Sequence, residues 1–190
     1  MRKYSSRILS LVLFLSIAVA CSKSDPAPLK AQTNAVLLAG DKGKSKIWKI
    51  ATINVASGSS SSNVQLLACQ TDNEYTFSNN DAQSYSAAEG VAKCDPSYPV
   101  TIETGTWAFT LDGLTLIVSA DNTQSDNGLF SPESQLVYNT ATPPVIVNAF
   151  PIGYPYPAFV QSLNATSMVL VITNKVGATT YTFTLTFLAA

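Results

Sequence analysis

The chain changes hydropathic period several times, and each change predicts a different element. Residues 8–20 form an almost wholly apolar, uncharged run behind a basic start of Arg2, Lys3 and Arg7. At about 13 residues it is too short for a membrane-spanning helix, which needs about 20. It ends in small residues, and Ser22, Lys23, Ser24 and Asp25 follow at once. That order reads as a removable secretory signal over residues 1–20. Residues 22–32 are polar and punctuated by Pro26 and Pro28, the composition of a tether. Residues 33–40 (TNAVLLAG) predict a short helix. Thr33 or Asn34 can cap its start, Val36, Leu37 and Leu38 give it an apolar side, and Gly40 can end it.

After Gly43 the period falls to two. Residues 46–55 are extended and rich in β-branched side chains, and residues 58–62, one glycine and four serines, read as a flexible loop. Residues 73–78 and 83–87 predict a hairpin. Trp107, Phe109 and Leu111 share a face, Asp112-Gly113 reads as a two-residue turn, and Leu114, Leu116 and Val118 continue the return strand. Tyr181, Phe183, Leu185 and Phe187 alternate with threonines, as a strand with one buried face requires; residues 167–173 precede it, joined through 174–177. Residues 120–165 are the least regular, with short strands expected at 136–138, 145–149 and 159–163. The run 150–157 carries three prolines, which exclude it from a central strand and predict a loop or an edge. Eight to ten antiparallel strands behind one short helix make an all-β barrel or sandwich, and closure into a barrel removes exposed edges.

Composition narrows the chemistry. About 170 residues follow the signal, enough for one domain with its own core. The formal net charge is −1, and three positive charges lie in the signal, which leaves the remainder near −4. Both arginines are in the signal as well. Without a basic patch the domain is not expected to bind nucleic acid. There is no histidine, so Ser-His-Asp and Cys-His triads and histidine-based metal sites are excluded, and neither a metal nor a cofactor is expected. Of three cysteines, Cys69 and Cys94 form an even pair in an exported domain and read as a disulfide. Carboxylate catalysis is the one enzymatic route left open. Glu74, Glu89, Asp95, Glu103 and Asp112 show no pairing in the sequence, however, and most of them read as solvated turn or barrel-rim residues. No enzymatic activity is expected.

Two resemblances add to this. Ala18-Val19-Ala20-Cys21 resembles a bacterial lipobox, with Ala18 where leucine is usual. The resemblance implies that Cys21 carries diacylglycerol and palmitate and becomes the first mature residue, with Ser22 after it favouring the outer membrane. Further on, Leu37-Leu38-Ala39-Gly40 followed by Lys46-Ile47-Trp48-Lys49-Ile50 resembles the opening of the lipocalin-like lipoproteins of Bacteroidota. Similar marks follow in order: residues 69–77 (CQTDNEYTF), Gly90 with 93–96 (KCDP), 103–107 (ETGTW), 163–166 (LNAT) and 180–183 (TYTF). The resemblance spans roughly residues 37–190. It implies an eight-stranded up-and-down barrel with Cys69 bonded to Cys94, and little about activity. The chain then divides into a signal at 1–20, a lipidated cysteine and tether at 21–32, and a lipocalin-like barrel at 33–190.

An eight-stranded barrel has room inside for its own side chains or one small ligand. The first reading is therefore a membrane-anchored lipoprotein that binds a small apolar or aromatic molecule at the barrel mouth. Phe150, Tyr154, Tyr156 and Phe159 would form a rim or lid. Trp48 and Trp107 are further candidate contacts, although tryptophans so placed more often pack a core. The alternative is a non-enzymatic envelope scaffold or interaction module with a filled barrel.

Overall fold

The alternating segments become the staves of a closed barrel in the computed structural model, which describes residues 29–94, 96–97, 99–122, 128–130, 136–138, 145–147 and 156–190. Helix α1 (Lys30–Ala39) leads into β1 (Ser45–Ser57), β2 (Ser60–Asn63), a one-turn α2 (Ala68–Thr71), β3 (Glu74–Ser78), β4 (Ser84–Ala88), β5 (Thr101–Phe109) and β6 (Thr115–Asn122). Then come β7 (Leu136–Tyr138), β8 (Val145–Val147), β9 (Tyr156–Leu163), β10 (Ser167–Val176) and β11 (Thr179–Ala189). Eight strands pair in the ring β1-β3-β4-β5-β6-β9-β10-β11, and β11 returns antiparallel to β1 from Trp48↔Ala189 to Ser57↔Tyr181. β2 is a ninth strand outside the ring, and among the described residues β7 and β8 pair with each other alone. The signal, Cys21 and the tether up to residue 28 lie outside the described residues. No described helix is long and apolar enough to cross a membrane.

The period-two pattern accounts for the interior. Tyr75 and Phe77, Tyr85 and Ala87, Leu116 and Val118, Leu170 and Ile172, and Phe183, Leu185 and Phe187 are all buried, with less buried neighbours between them. In β1 the buried set changes phase, from Trp48 and Ile50 to Ile53 and Val55. A β-bulge between Ile50 and Thr52 inserts the extra residue that keeps both pairs inward. A run of ring contacts joins Phe109, Trp107, Phe77, Tyr85 and Phe130 along the interior, with centroids 5.0 to 6.2 Å apart. Each such pair contributes about 0.5–1.5 kcal/mol beyond its buried area.

Several boundaries differ from the sequence expectation. The helix begins at Lys30, not at Thr33, because the Gln32 side chain accepts the Leu29 N–H at 3.1 Å and starts it a turn earlier. Asn34 is no cap; it lies inside the helix and its amide donates to the Gly113 carbonyl at 2.8 Å. The serine run is not a loop. Gly58, at φ 58°, makes the turn, and residues 60–63 pair back onto Asn54–Ser57, where β1 has outrun β3. Leu111 does not share the face of Trp107, since the strand stops at Phe109 and Leu111 is an exposed turn residue. Strand β10 continues to Val176, leaving Gly177 and Ala178 as the turn. Finally, Tyr156 and Pro157 belong to the barrel strand β9. Pairing with β6 runs from Tyr156 to Phe159, whereas pairing with β10 begins only at Phe159. Among the described residues, Pro157 thus sits where its strand has one neighbour, which is the place a missing N–H is tolerated.

Candidate functional site at the mouth opposite the helix

The two ends of the barrel are unlike. The hairpin turns at residues 79–83, 110–114 and 164–166 share one end with α1, whose Leu38 and Ala39 are fully buried. There the last helical carbonyls, which have no partner within a helix, are satisfied from β1. The Lys46 ammonium donates to Leu37 O at 3.0 Å, and the Trp48 indole donates to Leu38 O at 2.8 Å. Lys46 also lies over the Trp48 ring, 4.3 Å from its centroid, and burial lowers its pKa. α1 is a fitted stopper. Beside it a cleft of about 450 Å³ runs between Ala31, Ala35 and Val36 of α1 and Ala108 and Phe109 of β5.

At the opposite mouth the inward-facing residues turn polar. Glu103, Glu89, Asn73 and Asn174 are all buried, with relative exposures between 0 and 5%. Glu103 lies two strand positions beyond Gly105 and four beyond Trp107, so the pleat carries its carboxylate inward. It accepts the Tyr85 hydroxyl at 2.5 Å, the Leu129 N–H at 3.1 Å and the Phe130 N–H at 3.1 and 3.2 Å. Leu129 and Phe130, 4% and 0% exposed, are thereby seated in the mouth, with the Phe130 ring edge-on to Tyr85 at 5.5 Å. Burial first, and then the neighbouring Glu103 charge, push the Tyr85 hydroxyl well above its ordinary range, so it remains a donor. The same two causes, in the same order, raise Tyr75.

A second device lies at this end of the barrel. Cys69 of α2 is bonded to Cys94 (S–S 2.03 Å, Cα–Cα 5.2 Å) and ties down the segment that follows β4. Asp72 holds the same segment by accepting the Ala92 N–H at 2.9 Å. That bond, followed by the Lys49 ammonium 3.4 Å away, lowers the Asp72 pKa. Gly90 presses so close to Asp72 that a Cβ there would fall 2.3 Å from its carboxyl carbon.

The residues singled out from sequence are not one cluster. Trp48 and Trp107 are 0% and 2% exposed and act in packing; the Trp107 indole donates to Ser78 O at 3.2 Å, as that of Trp48 does to the helix. Phe159 is half exposed, one position after the buried Ala158, and faces outward from β9. Phe150 and Tyr154 lie outside the described residues; Tyr156 is placed in β9, with nothing described of its side chain. The disulfide joins the pair expected. The acidic residues need correction: Glu89 and Glu103 are buried inside the barrel, not solvated at a turn or rim, because each continues the period of its own strand. Counting by two from Trp107 back to Glu103, or from Tyr85 forward to Glu89, was the available signal. Asp112 is the turn residue expected, accepting from the Leu114 N–H and the Thr110 hydroxyl, which with that hydroxyl first lower its pKa. Glu74 forms an ion pair with Lys49 at 3.5 Å, and Asp95 lies outside the described residues. Among the described residues no group of three acidic, cysteine or histidine side chains could hold a metal ion.

Compared with known proteins, the chain matches no protein-family model and no curated protein.

Proposed function

We infer that this chain is an exported lipoprotein, anchored to the outer membrane through lipid on Cys21. Its barrel is a non-catalytic module that takes one small apolar or aromatic molecule at the mouth opposite α1. The observation that carries the binding reading is the seat occupied by Leu129 and Phe130. An apolar pair there is held among inward side chains by hydrogen bonds to a single carboxylate, and not by strand pairing. A seat with aromatic walls and one polar anchor suits a small ligand. The anchoring reading is supported by the basic, apolar and small-residue order before Cys21 and by the resemblance to lipocalin-like lipoproteins.

The scaffold reading has its own support in the aromatic chain that fills the interior from Phe109 to Phe130. Recovery of the mature protein from its native membrane, followed by native mass spectrometry, separates the two. A bound small molecule at near one-to-one stoichiometry is expected. Replacing both Tyr154 and Tyr156 with Ala should weaken its binding by about 1–3 kcal/mol if the rings are central contacts. Protein that is empty on recovery and stays empty after exposure to a membrane extract would give the place to the scaffold.

A further inference from the structure

The last paired residues of the β3–β4 hairpin are Glu74 and Ala88, and the same register continued by one step brings Asn73 opposite Glu89. Both continue the buried face of their strand, Asn73 with Tyr75 and Phe77, Glu89 with Tyr85 and Ala87. Their relative exposures are 1% and 5%. Directly opposed positions on a sheet bring side chains into contact range. Asn73 Oδ1 and both carboxylate oxygens of Glu89 are nevertheless buried without a hydrogen-bond partner. Lys93 Nζ lies 4.0 Å from Glu89 Oε2, an ion pair beyond hydrogen-bond length.

Native proteins rarely leave buried acceptors unmatched, because each unsatisfied polar group costs about 1–3 kcal/mol and a charged one more. Here one amide oxygen and both oxygens of a carboxylate are buried at the same end of one hairpin, each without a hydrogen-bond partner. A hard metal ion fits poorly, since calcium takes six to eight oxygens and no three acidic groups come together among the described residues. A primary ammonium fits by count and by sign: three N–H donors and one positive charge meet three acceptors and one negative charge.

We propose that Glu89 and Asn73 bind the primary ammonium group of a small amine whose apolar part lies in the barrel mouth. This deepens the binding-module reading and rests on it. The ligand ammonium takes the position beside Glu89 that Lys93 only approaches, so Lys93 competes with the ligand for the carboxylate.

The test uses the full mature protein and two probes of nearly equal shape, 2-phenylethylamine and the uncharged 2-phenylethanol, measured by calorimetry at neutral pH. The amine should bind at least tenfold more tightly than the alcohol. Glu89→Gln keeps the volume and should abolish that preference, while Lys93→Met should raise amine affinity several-fold by removing the competing cation. The wild-type comparison needs no variant, so a misfolded mutant does not decide the outcome. Equal affinities for the two probes overturn the inference and leave the binding module standing. Binding of neither probe at millimolar concentration also overturns it, and together with an empty native protein it overturns the module as well. A crystal soaked in saturating amine that holds only a water between Asn73 and Glu89 is equally decisive against it.

Discussion

Glu103 is the side chain on which most of the mouth depends. Its carboxylate is the acceptor for one hydroxyl and two backbone N–H groups, all removed from water. Replacing it with Ala leaves those donors buried without that acceptor, and the stability in urea should fall by roughly 2–4 kcal/mol. Glu103→Gln keeps an acceptor oxygen and should lose less. A fall of under about 1 kcal/mol for the alanine variant would mean that the donors find other acceptors and that the seat is not built on this residue. Glu103 also marks where the sequence is easily misread. Its acidity suggests solvent, while its position two and four residues from Gly105 and Trp107 dictates the interior. In a strand that is buried on one face, period overrides polarity, provided that partners await the charge. Those partners, Tyr85 and the 129–130 backbone, are 18 to 27 residues away in sequence, and no local pattern announces them.

Among the elements, the segment after β4 is fastened twice, and the two fastenings answer to different conditions. The Cys69–Cys94 bond spans 25 residues. Chain-entropy reasoning then predicts that changing both cysteines to Ser costs roughly 3–4 kcal/mol. Non-reducing peptide mapping should return one linked peptide and no alkylatable thiol from the folded domain. Asp72 responds to acid instead. Its folded pKa is lowered, so its contribution is complete at neutral pH and is lost only as pH falls from the ordinary value of 3.8 through the lowered one. The difference in urea stability between the native protein and Asp72→Asn should therefore stay level above about pH 5 and shrink below about pH 4. A difference that instead shrinks between pH 7 and 5 would contradict the assignment. The regular staves, β3 to β6 and β10 to β11, were legible because one of their faces is buried and alternation records it. The serine strand β2 was not, since it exists through backbone pairing to an overhanging β1 and buries little. Pro157 was half legible: the rule against central proline holds locally, but only the register shows that β9 lacks a neighbour there.

At the scale of the molecule, the proposed membrane attachment and the fold are separable. Cys21→Ser should release the protein from the membrane fraction, with a mature mass lacking diacylglycerol and acyl chains, while the barrel keeps its thermal transition. A variant that stays membrane-bound with an unchanged amino terminus would remove Cys21 from the account. The barrel itself closes by pairing its first strand with its last, from Trp48↔Ala189 onward, and the Ala190 N–H reaches back to Ile47 O at 3.0 Å. Such a ring has a timing built into it. If the chain is exported as proposed, threading it amino-terminus first through a translocation pore delivers β1 about 130 residues before its partner β11. Until β11 emerges, β1 has one long edge open, and its apolar face is available to any chaperone waiting on the far side. Truncating the last dozen residues should then do more than shorten a stave: it should leave a chain that exports normally, never locks, and is cleared by proteases.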